Sequence, residues 1–273
     1  MRHLPGMSPP LSPVAELVRR HDPDRFLTAL FAPPERRETL FVLYAFNHEL
    51  ARAREVTSEP TLALIRLQWW REVVEGARRR HEVAGPLGEA LDAGRLAAGD
   101  LLAMIEGREM ETDPVVSDLA SWRAYLTGTA GALAATAGRV LGAGDAARDR
   151  LRALGAAYGV TGQWRSVLAL ARQGRCLLPE ALLGAHGLTV DAVLANPLDA
   201  RLQPFWRELA AEAACWLAVG KGDWSRDVLA AGLPAVLARR DARRMQLAAV
   251  PPSTARGFGD RAAVVAAALL GRI

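Results

Sequence analysis

The chain has 273 residues, of which 51% are hydrophobic, and a formal net charge of +4. That apolar content is ample for a sizeable core and excludes a globally disordered protein. The basic balance, with a sequence pI near 9.6, favours anionic partners such as phosphate esters, membrane surfaces or nucleic acid without choosing among them.

Cys176 and Cys215 are the only cysteines, too few for a disulfide framework or a cysteine-rich zinc site, which predicts a reducing compartment. The proline-rich start, Met1 to Pro13, contains no apolar run of signal-peptide length. The longest apolar stretches, Ala213 to Gly220 and Ala262 to Leu270, fall short of the roughly 20 residues a spanning helix needs. The expected location is cytoplasmic, with peripheral attachment to the inner face of a membrane left open.

Alanine, leucine and arginine dominate and β-branched alternation is nearly absent, so the segments read as helices punctuated by Gly and Pro. Residues 1–20 read as a flexible N-terminal segment and 21–273 as one all-α domain. Asp24 to Phe31 reads as a short helix stopped by Pro33 and Pro34. A second helix starts near Glu35, with Leu40, Phe41, Tyr44, Ala45 and His48 on one face. Pro60 opens the next, whose predicted buried stripe is Leu62, Ile65, Trp69 and Val73. Shorter helices follow between Leu87 and Met110. Asp118 to Leu141 carries Gly128, Gly131 and Gly138 where another helix could approach closely. Ala146 to Ala171 is a long helix, and from Arg150 through Pro179 there is no aspartate or glutamate. Phe205 to Val219, Leu229 to Leu247 and Arg261 to Leu270 complete the set. Trp69, Trp70, Trp122 and Trp164 read as core fillers before they read as walls of a ligand pocket. The arginine runs at Arg78 to Arg80 and Arg239 to Arg244 lack aromatic interleaving, zinc spacing or a nucleic-acid-binding fold, so they read as solvated helix faces and no nucleic acid is expected.

Several ordered motifs carry a family resemblance. Leu30-Phe31-Ala32-Pro33-Pro34-Glu35-Arg36-Arg37, Leu43-Tyr44-Ala45-Phe46, Trp70-Arg71, Gly128-Thr129-Ala130-Gly131 after Tyr125, Gly159 with Gln163, and Arg175-Cys176-Leu177-Leu178-Pro179 before His186-Gly187 resemble the squalene/phytoene synthase family. The resemblance runs from about Asp24 to Arg244. It implies an isoprenoid-synthase fold, an antiparallel helical bundle around a central cavity. It further implies head-to-head joining of prenyl diphosphates, with two aspartate-rich motifs holding the Mg²⁺ that neutralises the departing diphosphate.

Against that pattern this chain is depleted. The first motif falls on Ala51 to Glu55, so that His48, Ala51, Arg52 and Glu55 share the face expected to look into the cavity and only Glu55 is a carboxylate. In the second motif the family's glutamine is matched by Gln163, its asparagine by Ser166 and its first aspartate by Leu170. Removing one preorganised electrostatic element typically costs ~3 to 4 kcal/mol of transition-state stabilisation, and two depleted clusters cost more. The expectation is therefore a non-catalytic relative, similar to the branch that includes a respiratory complex I assembly factor, binding a protein partner, a membrane surface, or an isoprenoid or other lipid. No cofactor is expected. The alternative is an active prenyltransferase with a reduced Mg²⁺ site, in which Glu55, helped by Glu49 or Glu59, is the metal ligand. His48, Arg52, Gln163, Arg165 and Arg172 are the candidate substrate or anion contacts, weighed against an ordinary Glu49–Arg52 helical pair.

Overall fold

The structure, a computed structural model, describes residues 10–55, 59–113, 115–248, 251 and 255–273. Among them the extended pairing is confined to one parallel bridge, between Val116 and Pro179, and the rest is helix and turn.

Helix α1 (Pro13–His21) opens on Ser12, whose hydroxyl accepts the Ala15 amide hydrogen at 3.1 Å and so satisfies one of the donors a helix start leaves open. Val14, Ala15 and Val18 are buried against α3 (Pro34–Glu55). The expectation of a flexible segment through Arg20 is corrected from Pro13 onward, because the 14, 15, 18 spacing gives this helix an apolar face to bury. Asp22 then caps α2 (Pro23–Ala29), accepting from the Arg25 amide at 3.1 Å. In α3 every residue from Leu40 to Phe46 is buried, which makes it an interior helix rather than a one-faced one.

Helix α4 (Pro60–Val74) corrects the sequence reading. Its buried residues are Ala63, Leu67, Trp70, Val73 and Val74, while Leu62 and Ile65 are 50% and 58% exposed. Both rows obey helical spacing. Packing against α3 selects the row that brings the Trp70 ring edge-on to Phe46, with centroids 5.5 Å apart.

Next come α5 (Ala84–Asp92), α6 (Ala98–Glu109) with a 3₁₀ turn at Met110–Thr112, and α7 (Leu119–Leu126), which runs through a π-helical turn, Thr127–Gly131, into α8 (Ala132–Val140). Helix α9 (Asp145–Arg172) has 28 residues, about 42 Å at 1.5 Å per residue, and is the axis of the bundle. It packs against α8, the π turn, α12 (Gln203–Val219) and α14 (Pro234–Leu247). Two small helices, α10 (Glu180–Ala185) and α11 (Val190–Ala195), precede α12; α13 (Arg226–Gly232) precedes α14, and α15 (Phe258–Leu270) packs on α14. Trp122 and Trp164 are fully buried, as core fillers should be.

The approach of α9 to the π turn is what glycine makes possible. A Cβ on Gly155 would lie 2.3 Å from the Ala130 carbonyl oxygen, and one on Gly131 would lie 2.8 Å from the Arg152 carbonyl oxygen. Both obstacles are backbone and cannot rotate away.

Charge ties the C-terminal helices to one another and to α2. Arg240 and Arg244 donate to Asp260 at 2.7 Å each, Arg244 also to Asp241 at 2.8 Å, and Arg256 donates to Asp24 at 2.9 Å and to Asp241. The arginine run of α14 is thus not simply a solvated face: Arg243 is exposed, but Arg240 and Arg244 hold α15. Burial would push the Asp260 carboxyl up; the hydrogen-bonded Arg244 and Arg240 outweigh it and bring the pKa down to about 2.

Two outcomes follow from this packing. Gly155→Ala should lose about 1 to 3 kcal/mol through overpacking, whereas Gly162→Ala, with open space around the new methyl, should be neutral or gain up to about 1 kcal/mol; denaturant midpoints compare them. The stability supplied by ionised Asp260 is present above the ordinary value of 3.8 and is lost as pH falls through about 2. Asp260→Asn should therefore lower stability at neutral pH and flatten its pH dependence across that acid window, read from urea midpoints against pH.

Candidate functional site

A cavity of about 230 Å³ lies between α3, the end of α6, the π turn and α9. Ala51, Gln163, Ser166 and Leu170, the residues at four motif-equivalent positions, line it together. They converge because residues 163, 166 and 170 follow one another at three and four along α9, on the face turned toward Ala51 of α3.

The remaining candidates lie elsewhere. Arg52 is 43% exposed and donates to Glu49 at 3.2 Å, the ordinary helical pair. His48 is partly buried and stacks on His21 with ring centroids 4.4 Å apart; burial, then His21, lowers its pKa. Arg165 lines an adjoining groove of about 720 Å³ beside α2, which shares Gly162 and Ser166 with the cavity, and it stands 3.5 Å from Asp241. Arg172 is exposed at the end of α9. One residue of offset turns a helical side chain by about 100°, which is why Arg52 and Arg165 leave the cavity that Ala51 and Ser166 enter. Glu49 is buried and lines a third pocket with Trp69, Trp70 and His81. Glu55 closes α3, and its side chain lies outside the described part of the structure.

The polar residues retained on the wall have their hydrogen bonds within the protein. Gln163 accepts from Trp122 Nε1 at 2.7 Å and donates to the Leu177 carbonyl at 3.0 Å. Ser166 Oγ donates to the Gly162 carbonyl at 2.8 Å, the usual back-bond of a helical serine.

The cavity's strongest chemistry comes from a cluster the sequence did not single out. Glu111, with its side chain 4% exposed, lines the cavity beside Arg108, Tyr125 and Arg175. Its Oε1 accepts from Arg108 and from Tyr125 Oη, the latter at 2.8 Å, and its Oε2 accepts from Arg175 at 2.6 Å. Arg108 also reaches Asn47 Oδ1 of α3 at 3.3 Å. Burial alone would push the Glu111 carboxyl up, but Arg108 and Arg175 hold it below the usual carboxylate range. Burial and the Glu111 charge push the Tyr125 phenol up, so it stays protonated and donates. Tyr125 and Arg175 stand in the motifs noted above. Glu111 falls three residues after Arg108, but no spacing in the sequence joins it to Arg175, 64 residues away.

Mg²⁺, which the resemblance implies, does not suit these donors. Among the described residues no group of three or more His, Cys, Asp and Glu side chains converges to hold a metal ion. Both Glu111 oxygens are taken by guanidinium groups, and surrendering them to a cation would strand two buried positive charges.

Comparison with known proteins sets this geometry in context. The family model described as squalene/phytoene synthase matches residues 18–266. NADH dehydrogenase (ubiquinone) complex I, assembly factor 6, of Homo sapiens is 27% identical over 204 residues, covering 72% of this chain and 61% of the human protein. The Rattus norvegicus counterpart is 28% identical over 228 residues, covering 81% and 68%. Among solved structures, a dehydrosqualene synthase in complex with ligand superposes with a TM-score of 0.77 at 14% identity over 94% of both chains. Squalene synthase from Alicyclobacillus acidocaldarius gives 0.65 at 18% identity over 94% of this chain and 92% of its own. At those identities the structural likeness shows the fold: an all-α isoprenoid-synthase bundle.

Glu111→Gln, which leaves Arg108 and Arg175 without their counter-charge, should cost about 3 to 5 kcal/mol. Arg52→Gln, breaking the half-exposed pair with Glu49, should cost less than about 1 kcal/mol. Guanidinium-chloride unfolding of the two variants measures the difference.

Proposed function

The chain belongs to the squalene/phytoene synthase family, and from that membership we propose that it is a non-catalytic member acting as an assembly or scaffold factor that binds a protein partner. One observation carries the reading. The cavity presents Ala51, Ser166 and Leu170 at the motif positions, and its one carboxylate among the described lining residues, Glu111, is consumed by Arg108, Arg175 and Tyr125.

Ionising a prenyl diphosphate requires positive charge gathered around the leaving group. Arginines supply charge, but Arg108 and Arg175 are already committed to Glu111, and Arg52 and Arg165 face other partners. The relatives named as complex I assembly factors support the same reading. The chain spans only 61% of the human relative, so the partner is defined here by class: a protein bound during assembly of a larger complex. Cys176 and Cys215 are both free, in keeping with a cytoplasmic, reducing location.

Purified protein incubated with farnesyl or geranylgeranyl diphosphate and Mg²⁺ should release no pyrophosphate above the protein-free control. Mg²⁺-dependent release that disappears in Glu55→Gln would overturn the reading and give Glu55 the metal role.

A further inference from the structure

Helix α15 wears its apolar face outward. Asp260 and Val264 are its buried residues, turned toward the body of the protein. At about 100° per residue, Phe258, Ala262, Val265 and Leu269 form a stripe on the opposite side. Phe258 is 88% exposed, Leu269 71% and Leu270 73%. Isolated exposed leucines are ordinary, but an aligned row along one helix marks a contact surface.

Within the C-terminal segment itself the exposed charges have one sign, although Arg261 also borders the groove that Asp22 and Asp24 line. From Asp241 to the last residue the only side-chain carboxylates are Asp241 and Asp260. Both are buried and neutralised by arginines. Arg243 on α14 and Arg261 and Arg272 on α15 and its end are exposed, and among the described residues none of them is in an ion pair.

We propose that α15 is a membrane-docking helix that lies flat in an anionic lipid surface, its Phe258–Leu269 stripe among the acyl chains and its arginines at the headgroups. An outward apolar stripe bordered by arginine is the composition of an interfacial helix, and the long Arg side chains can reach phosphate while their stems stay apolar. The 13 residues of α15 span about 20 Å at 1.5 Å each, short of the roughly 30 Å hydrocarbon core, so the helix lies on the bilayer rather than crossing it. A second copy of the chain fits this face less well, since an isologous contact would bring the arginines flanking the stripe in one copy toward those of the other. The inference is independent of the cavity and holds whether or not catalysis survives.

Sedimentation with vesicles tests it, without any prenyl diphosphate. Wild-type protein should pellet with phosphatidylcholine vesicles containing about 30% phosphatidylglycerol and not with phosphatidylcholine alone, and raising ionic strength to about 1 M, where the Debye length is about 3 Å, should release it. Phe258→Ser/Leu269→Ser and Arg261→Gln/Arg272→Gln should each lower partitioning by about an order of magnitude or more. In the wild type, amide exchange of residues 258–270 should slow when anionic vesicles are added, a readout that needs no variant to fold. Equal binding by the variants, no binding by the wild type, or vesicle binding without protection of α15 would each overturn the proposal. So would a concentration-dependent dimer that vanishes in Phe258→Ser/Leu269→Ser while vesicles remain unbound.

Discussion

Glu111 is the charge around which the site is organised. It is nearly inaccessible to solvent, yet it stays ionised because two guanidinium groups and a phenol converge on its oxygens. Those partners come from the end of α6, from α7 and from the segment after α9, and Arg108 extends the connection to α3 through Asn47. A buried ion cluster of this kind is weak evidence for net stabilisation, but removing one member strands the others. It therefore sets the relative placement of these elements more than it adds to the depth of the free-energy well.

The same cluster decides what the cavity can do. Positive charge that would meet a diphosphate in an open pocket is instead spent on an internal carboxylate, and that carboxylate has no oxygen left for a cation. Gln163 is similarly occupied, one end of its amide with Trp122 and the other with the Leu177 carbonyl. The cavity wall is thus polar, with these groups hydrogen-bonded within the protein, which supports the non-catalytic reading proposed above.

A second ion network governs the other end of the chain. Arg240, Arg244 and Arg256 hold Asp241 and Asp260 and draw Asp24 of α2 into the same cluster. Because α15 is anchored through a buried aspartate, its apolar residues need not face the core to keep it in place. Charge on the inner side leaves the hydrophobic side free for another surface.

How much of this was written in the sequence depends on whether the signal is local. Proline and glycine punctuation and the near absence of β-branched alternation gave most of the helices and, with the ordered family motifs, the bundle, whereas the helix that Ser12 caps was missed. Spacing along α9 also placed Gln163, Ser166 and Leu170 on one wall. Which of two equally periodic rows on α4 is buried, that Arg52 turns to Glu49 while Ala51 turns inward, and that Glu111 meets an arginine 64 residues away were settled only by tertiary structure. Helical periodicity reports which residues share a face of one helix; it carries no information on which face a neighbouring helix covers, nor on which distant charge burial will force into contact.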